Sequence, residues 1–390
     1  MVLKLLGVSI GRRHESGTTW YLQGNSGGLL LDAGANATQE IEDVGLIFVS
    51  HAHVDHVGAL IDLVERFPRA RRVASVQTLR SLEAVLVNEL KMRGGKIGRA
   101  HAIVDTFEPK KFHAPFVHDE FELTLLPAGH VPGSSMLLVE RKAPAHRLLY
   151  TGDWSPFQMP GIEPVFWPGD VDTLILESAL AAHHELDGYS FEEAIQTLGS
   201  LSGALILASP VGEARLVWES LKGRDGFCVH ENLRSFLPEA DFGLTHDCVR
   251  TLEQGGVVLA AGKELDFNTP SRALVQSIIG DATKSVRIVN GVKSRSLGDQ
   301  FLHAGNRAKV QGLGRRRVQA SILELTLHAP PVHLMRAVED LAPSRVVLTH
   351  QDEKVLHAFK RKLGKHLEGK ANPEIIVPSK AYIDLERLPA

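Results

Sequence analysis

Residues 50–58 of this chain read Ser50-His51-Ala52-His53-Val54-Asp55-His56-Val57-Gly58. Three histidines and one aspartate thus follow the apolar run at residues 46–49, which is typical of a buried strand. A helix is expected over residues 59–64, so the polar side chains lie where a strand gives way to a helix. Neutral imidazole and carboxylate groups are the ligands that zinc and neighbouring metals use. The spacing predicts a tight turn that can serve two metal ions, provided that further ligands come from elsewhere in the chain.

Further candidate residues each follow an apolar, strand-like segment. They are Asp32, His130, Asp153 and His350. Loops at the ends of rigid strands are the usual place for binding residues. Taken alone, each of these residues could equally well have a structural role, as an aspartate that caps a turn or as a histidine that makes hydrogen bonds within the protein. Together with the histidine cluster, they favour one common site.

The composition is typical of an intracellular globular enzyme. The chain has 390 residues, of which 44% are hydrophobic, so it is long enough for two domains with full cores. Its two cysteines, Cys228 and Cys248, imply no disulfide framework. The net charge of −3 gives no global reason to expect nucleic acid, and no apolar run approaches the length of a membrane span. Residues 1–10 are typical of a strand rather than a signal peptide, so we expect a cytoplasmic protein.

Strand-like and helix-like segments alternate along the chain, which predicts an α/β fold. The expected domains are residues 1–185, an insertion at residues 186–305, and a segment at residues 306–390 that returns to the first domain. Within the insertion, strand-like runs separated by helices predict a small parallel sheet. The return is inferred because His350 must reach the metal site.

A known family shares these features. Residues 51–56 match the HxHxDH signature of the metallo-β-lactamase superfamily at every defined position. The insertion resembles that of the β-CASP nucleases, which include RNase J and the nuclease subunit of the cleavage and polyadenylation machinery. The segments that carry this resemblance are residues 174–178, 208–215, 260–264, 290–298, 326–329 and 349–352. The chain departs from the family at Ala179, Glu213 and Gln351, where threonine, arginine and glycine are usual. The resemblance implies a metallo-β-lactamase αββα sandwich with an inserted β-CASP α/β domain.

The same resemblance implies a centre of two divalent metal ions, Zn²⁺ or Mn²⁺. The implied ligands are His51, His53 and His130 for one ion and Asp55, His56 and His350 for the other, with Asp153 as the bridge. Two such ions activate water and stabilise the oxygens of a phosphodiester displacement. His328 is then the candidate general acid for the departing oxygen, and Glu177 orients it. The residues implied to act in catalysis are Asp55, His328, Glu177 and the supporting Asp32.

The implied substrate is single-stranded nucleic acid. In the family, histidine at the position of His350 accompanies RNA-directed members and valine accompanies eukaryotic DNA-repair members, so RNA is favoured and DNA stays open. Weaker candidates for phosphate contacts are Ser134, Ser135, Arg315, Arg316 and Arg317. A homodimer is compatible with this interpretation, and no membrane partner is expected.

Three alternatives stay open at this point. One is a small-ester metallohydrolase of the glyoxalase or lactonase kind, which shares the metal ligands but lacks the insertion. Another is a DNA-preferring exonuclease or repair nuclease. The third is a non-catalytic β-CASP partner, although such proteins usually lose metal ligands and all seven candidates are present here.

Overall fold

The structure is a computed structural model that describes residues 3–10, 17–25, 27–35, 41–370, 372–379 and 381–387. Of the strand expected at residues 1–10, Met1 and Val2 lie outside the described residues. The strands are β1 (Lys4–Ile10), β2 (Thr18–Leu22), β3 (Gly28–Leu31), β4 (Val44–Phe48), β5 (Arg71–Ser75), β6 (Glu108–Lys110), β7 (Phe116–His118), β8 (Phe121–Pro127), β9 (Ser135–Lys142), β10 (Ala145–Tyr150), β11 (Thr173–Glu177), β12 (Ala204–Ala208), β13 (Phe227–His230), β14 (Phe242–Gly243), β15 (Val257–Ala261), β16 (Ser285–Val289), β17 (Lys309–Val310), β18 (Gly314–Arg315), β19 (Gln319–Leu323), β20 (Arg345–Thr349), β21 (Glu374–Ile376) and β22 (Ile383–Asp384).

Helices alternate with these strands through most of the chain. They are α1 (Val54–Val57), α2 (Leu60–Arg66), α3 (Val76–Met92), α4 (Gly98–Val104), α5 (Phe191–Ser200), α6 (Glu213–Leu221), α7 (Thr245–Glu253), α8 (Pro270–Ile278), α9 (Leu297–His303), α10 (Pro331–Leu341) and α11 (Glu353–Leu367), with short 3₁₀ helices at His184–Leu186 and Glu231–Leu233. Within the described ranges, no helix has both the length and the apolar character needed to cross a membrane.

The chain divides into two compact units. The first contains Met1–Gln158, Ile162–Tyr189 and His328–Ala390, and the second contains Met159–Gly161 and Ser190–Leu327. The sequence predicts that the chain's return to the first unit comes at residue 306. In the structure it comes at His328, because β19 pairs in parallel with β16 and therefore belongs to the sheet of the second unit.

The first unit is built on two sheets that, among the described residues, have seven strands each. Their orders are β22-β1-β2-β3-β4-β5-β6 and β21-β20-β11-β10-β9-β8-β7. Side chains alternate across β9: Leu137 packs with Trp20 of the other sheet, and Leu138 packs with Leu334 of α10. Helix α3 contacts β5 and β6 of the first sheet, so helices cover both sheets. The expectation of an αββα sandwich is confirmed.

The second unit contains an all-parallel sheet with the order β14-β13-β15-β12-β16-β19. Its central strand β12 is buried along its whole length, as expected for a parallel strand with helices on both faces. The core of this unit joins apolar side chains of β12, β15 and β16 to those of α7, α8 and α9. An α/β insertion with a parallel sheet, as expected from the sequence, is therefore present.

The sheets of the first unit bring the candidate residues to the ends of neighbouring strands. Strands β3 and β4 run parallel, and so do β10, β11 and β20, so the carboxyl ends within each set meet at one edge. Asp32 and His350 directly follow β3 and β20 and have left-handed backbones, with φ of +62° and +67°. Such a backbone is uncommon outside glycine and clusters at functional sites.

Candidate metal centre

The first group of candidate ligands surrounds a small space beside α1. His53 Nδ1 lies 3.0 Å from His51 Nε2 and 3.1 Å from His130 Nε2. Asp153 Oδ2 lies 3.5 Å from His51 Nε2 and 3.7 Å from His130 Nε2. A tetrahedral zinc ion with bonds of about 2.0–2.1 Å separates its ligand atoms by about 3.3 Å. These four separations are therefore close to that value, and all four atoms lie within 4.8 Å of one another.

The second group lies on the other side of Asp153. It consists of Asp55, His56 and His350, whose ligand atoms lie within 4.8 Å of one another. His350 Nε2 is 3.1 Å from Asp55 Oδ2, and His56 Nε2 is 3.3 Å from Asp153 Oδ1. Asp153 thus presents Oδ2 to the first group and Oδ1 to the second. One carboxylate is therefore within reach of both groups of candidate ligands.

Several atoms of this cluster are buried without a hydrogen bond, and this tests whether a metal fits. Among the described residues, His56 Nε2, Asp153 Oδ1, His350 Nδ1 and Glu177 Oε2 have no hydrogen-bond partner. His350 Nδ1 is only 2.9 Å from Asp153 Oδ1, yet the two atoms do not have hydrogen-bond geometry. A buried polar atom without a partner costs about 1–3 kcal/mol. Because His56 Nε2 and His350 Nδ1 both lie close to Asp153 Oδ1, a shared cation accounts for these three atoms, and the residues fit a divalent metal centre.

The electrostatics of the cluster agree with this fit. Burial and the neighbouring His56 hold the pKa of His51 well below its ordinary value, which leaves the neutral imidazole that a metal requires. Burial alone would raise the pKa of Asp153, but His350 and His56 outweigh it and hold this pKa well below the usual range. Burial would lower the pKa of His56, but Asp153 and Asp32 raise it to about 10. Ionised carboxylates in a buried pocket therefore attract positive charge.

Asp32, which directly follows β3, lies beside the candidate ligands and supports them through hydrogen bonds. Its Oδ2 accepts hydrogen bonds from His56 Nδ1 at 2.7 Å, Ser50 Oγ at 2.7 Å and Tyr150 OH at 2.6 Å, and its Oδ1 accepts from the Ser50 backbone N–H at 2.6 Å. Sequence reasoning missed Ser50 and Tyr150. The available signal was their position, since Ser50 directly precedes His51 and Tyr150 ends the strand before Asp153.

His328 and Glu177 meet beside the cluster. His328 Nδ1 lies 3.1 Å from Glu177 Oε1 and 3.9 Å from Asp153 Oδ2, and its ring centroid is 4.6 Å from that of His130. Burial alone would raise the pKa of Glu177, but the interactions with His328 and His350 together hold it below its ordinary value, so the carboxylate stays charged. The His328 side chain is 20% exposed. The pair has the geometry of a proton donor that a carboxylate orients.

The two serines proposed as phosphate contacts have structural partners instead. Ser134 Oγ accepts hydrogen bonds from the backbone N–H groups of His130 and Val131, at 3.0 and 3.1 Å. Ser135 Oγ donates to the Ser50 carbonyl at 3.1 Å. Both serines are buried. The expectation of phosphate contacts was wrong for these hydroxyls, because they shape the loop that carries His130 and are not exposed.

The three arginines lie in the second unit. Arg316 is half-buried and donates to the carbonyls of Phe301 and Leu302 at 2.8 and 3.1 Å, so its guanidinium holds the local fold together. Arg315 and Arg317 are exposed. A phosphate contact at these two residues stays a prediction.

Comparisons with known proteins agree with the fold. Residues 12–207, half of the chain, match the family described as "Metallo-beta-lactamase superfamily". The chain is similar to "Probable RNase MJ4" of Methanocaldococcus jannaschii, with 28% identity over 174 residues, 38% of this chain and 39% of the relative. It is also similar to "RNase aCSPSF2" of Saccharolobus solfataricus, with 24% identity over 390 aligned residues, 87% of this chain and 78% of the relative.

A solved structure extends the agreement over the whole chain. It is a protein of unknown function from Enterococcus faecalis V583, with a TM-score of 0.64, 13% identity, and coverage of 98% of this chain and 100% of that one. At this identity the likeness shows the fold alone. With the relatives named above, these matches confirm the resemblance to the β-CASP family, and the chain belongs to the metallo-beta-lactamase superfamily.

Proposed function

We propose that this protein is a metal-dependent nuclease that hydrolyses phosphodiester bonds of single-stranded nucleic acid, with RNA preferred. The observation that carries the proposal is the pair of ligand groups on either side of Asp153, with its two oxygens facing different groups. A pair of metal ions about 3.5–4 Å apart is the arrangement that suits an in-line phosphoryl displacement.

The candidate ligands form two groups, one for each metal ion. One ion would be held by His51, His53 and His130 and the other by Asp55, His56 and His350, with Asp153 within reach of both groups. Zinc fits the histidine-rich first group, while the carboxylates also accept manganese. When bound, the ions supply Lewis acidity to the water and to the phosphate.

Proton delivery to the departing oxygen falls to His328. Its ring is beside Asp153 and His130, and the Glu177 carboxylate accepts a hydrogen bond from its Nδ1. Because Glu177 Oε1 also accepts from the Ala179 backbone N–H at 2.8 Å, the carboxylate is held in place. General acids of this kind contribute about 10²–10⁴-fold to a rate.

The substrate class rests on weaker support. The similar proteins of M. jannaschii and S. solfataricus carry ribonuclease names, and His350 stands where RNA-directed β-CASP members have histidine. We therefore propose single-stranded RNA ahead of DNA. A cytoplasmic location and a homodimer belong to the same proposal.

The test is a digest of end-labelled single-stranded RNA and DNA of identical sequence, with Zn²⁺ or Mn²⁺ added. The wild type is expected to cut RNA faster than DNA, and His51→Ala to cut neither. His357→Ala, which removes an exposed histidine of α11, is the matched control and should retain full activity. Normal cleavage by His51→Ala would contradict the metal assignment. Hydrolysis of a small thioester without cleavage of either oligonucleotide would favour the small-ester hydrolase instead.

A further inference from the structure

One carboxylate, Asp32, contacts a histidine of each ligand group, directly in one case and through Ser50 in the other. His56 Nδ1 lies 2.7 Å from Asp32 Oδ2. A carboxylate only accepts hydrogen bonds, so the hydrogen of this contact is on Nδ1. Nε2 is then the nitrogen that faces Asp153, where a metal of the second group would take the place of its hydrogen.

A second hydrogen-bond path leads from Asp32 through Ser50 to His51. Ser50 Oγ lies 2.7 Å from Asp32 Oδ2 and 3.0 Å from His51 Nδ1. Two oxygens come this close only with a hydrogen between them, and the carboxylate has none to give. The single hydroxyl hydrogen therefore points to Asp32, and Ser50 Oγ accepts from His51 Nδ1. Consequently, His51 Nε2 carries the lone pair and faces His53 and Asp153.

We propose that Ser50 is a positioning residue that fixes the tautomer of His51, so that Asp32 prepares one ligand of each metal group. This inference rests on the metal centre of the proposed function. Without the Ser50 hydroxyl, His51 Nδ1–H has lost its acceptor, and the ring can carry its hydrogen on Nε2 instead. In that form Nε2, the nitrogen that faces His53 and Asp153, has no lone pair for a metal.

Tyr150 provides a matched control. Its hydroxyl donates to the same Asp32 oxygen at 2.6 Å, and both side chains are fully buried. The tyrosine hydroxyl lies on no hydrogen-bond path from Asp32 to a ligand histidine, because Asp32 receives its hydrogen directly. Tyr150→Phe therefore removes an equally short hydrogen bond from the same carboxylate and leaves both relays in place.

The experiment measures zinc binding to chelator-stripped protein by competition with a chromophoric chelator. The wild type is expected to bind two ions. Ser50→Ala should weaken one of them by about 10–100-fold, the range found when an orienting partner of a metal ligand is removed. Ser50→Thr keeps the hydroxyl and should restore binding. Tyr150→Phe should weaken the binding of neither ion by as much as Ser50→Ala weakens the binding of the affected ion. If Ser50→Ala does not fold, Ser50→Gly makes the same test, since glycine also has no hydroxyl to accept from His51.

A second measurement reports the tautomer itself. Long-range ¹H–¹⁵N spectra of zinc-free, ¹⁵N-histidine-labelled protein show which ring nitrogen carries the hydrogen, and the His51 signals are assigned by their loss in His51→Gln. The wild type should show hydrogen on Nδ1, and Ser50→Ala should populate the Nε2 form.

The outcomes separate the two proposals. Unchanged zinc affinity in Ser50→Ala, or an equal loss in Tyr150→Phe, would overturn the role of Ser50 while the metal centre stands. A wild-type protein that binds no zinc would refute the metal centre itself.

Discussion

A buried ion pair in the second unit allows a quantitative prediction. Lys263 Nζ donates to Glu213 Oε1 at 3.0 Å, to Glu213 Oε2 at 2.9 Å and to the Val289 carbonyl at 2.8 Å. Glu213 also accepts from the Ser209 backbone N–H at 2.7 Å. Both charged side chains are about nine-tenths buried. The pair joins the carboxyl ends of β12, β15 and β16.

Lys263→Met keeps the length of the side chain but removes three hydrogen bonds and leaves the Glu213 charge buried without its cation. Removing one partner of a buried pair costs about 3–5 kcal/mol, more than the ~1 kcal/mol of an ordinary hydrogen bond. Adding Glu213→Gln neutralises the remaining charge and preserves an acceptor for Ser209. The double variant should therefore be more stable than Lys263→Met alone, with a coupling of at least about 1 kcal/mol.

Hydrogen exchange of peptides from β12 and β15, followed by mass spectrometry in increasing urea, measures the stability of this unit separately from the first. Lys222→Met is the matched control, because Lys222, just after α6, is 52% exposed, and its partner Glu219 keeps an ion pair with Arg215 at 3.0 Å. Loss of an exposed cation from such a group costs about 0–1 kcal/mol. A loss in Lys263→Met no larger than in Lys222→Met, or a double variant less stable than the single, would refute the reasoning.

Three shorter predictions concern the metal centre. His328→Ala should slow cleavage by about 10²–10⁴-fold with the zinc content unchanged, and loss of zinc in elemental analysis would contradict a role as proton donor. Gly133→Ala should weaken zinc binding and lower the melting temperature, because Gly133 has φ of +78° and its Cβ would lie 2.6 Å from Ser75 Oγ; Gly280→Ala, with open space around the new Cβ, should change neither. Removal of zinc with a chelator should lower the melting temperature and added Zn²⁺ should restore it, since an ion that binds only the folded state stabilises it; an unchanged melting temperature would count against the centre.

Local patterns in the sequence predicted the regular elements well. Helices α6 and α10 and strand β12 coincide with segments whose apolar periodicity is typical of helices and of a strand. The start of α3 is less evident, because Ser75 and Thr78 are both good N-cap residues by type, and the helix begins at Val76 with Ser75 as its N-cap. Ser75 Oγ accepts the Thr78 N–H, and Thr78 Oγ1 donates instead to the Gly133 carbonyl at 2.8 Å. The Gly133 carbonyl, 55 residues from Thr78, accepts from the Ser75 hydroxyl as well, at 2.7 Å, so both candidate caps are held by a contact that the local sequence does not show.

In the candidate site too, some features could be predicted from the local sequence and others could not. The cluster at residues 51–56 could be predicted because its ligands are close in sequence, and the strand ends supplied the others. The Asp32–Tyr150 contact could not, because it joins residues 118 apart and nothing local indicates that the tyrosine faces the aspartate. The structural role of Ser134 was equally hidden, since a hydroxyl in a glycine-containing loop is typical of both a phosphate contact and an internal bond.

The left-handed backbone at His350 restricts what can replace it. With φ of +67°, this position tolerates glycine, asparagine, aspartate or histidine far better than a β-branched residue. Valine, which stands here in the DNA-repair members of the family, would add about 1–3 kcal/mol of backbone strain to the loss of a ligand. The backbone of this turn therefore selects for histidine independently of the metal that the side chain would bind.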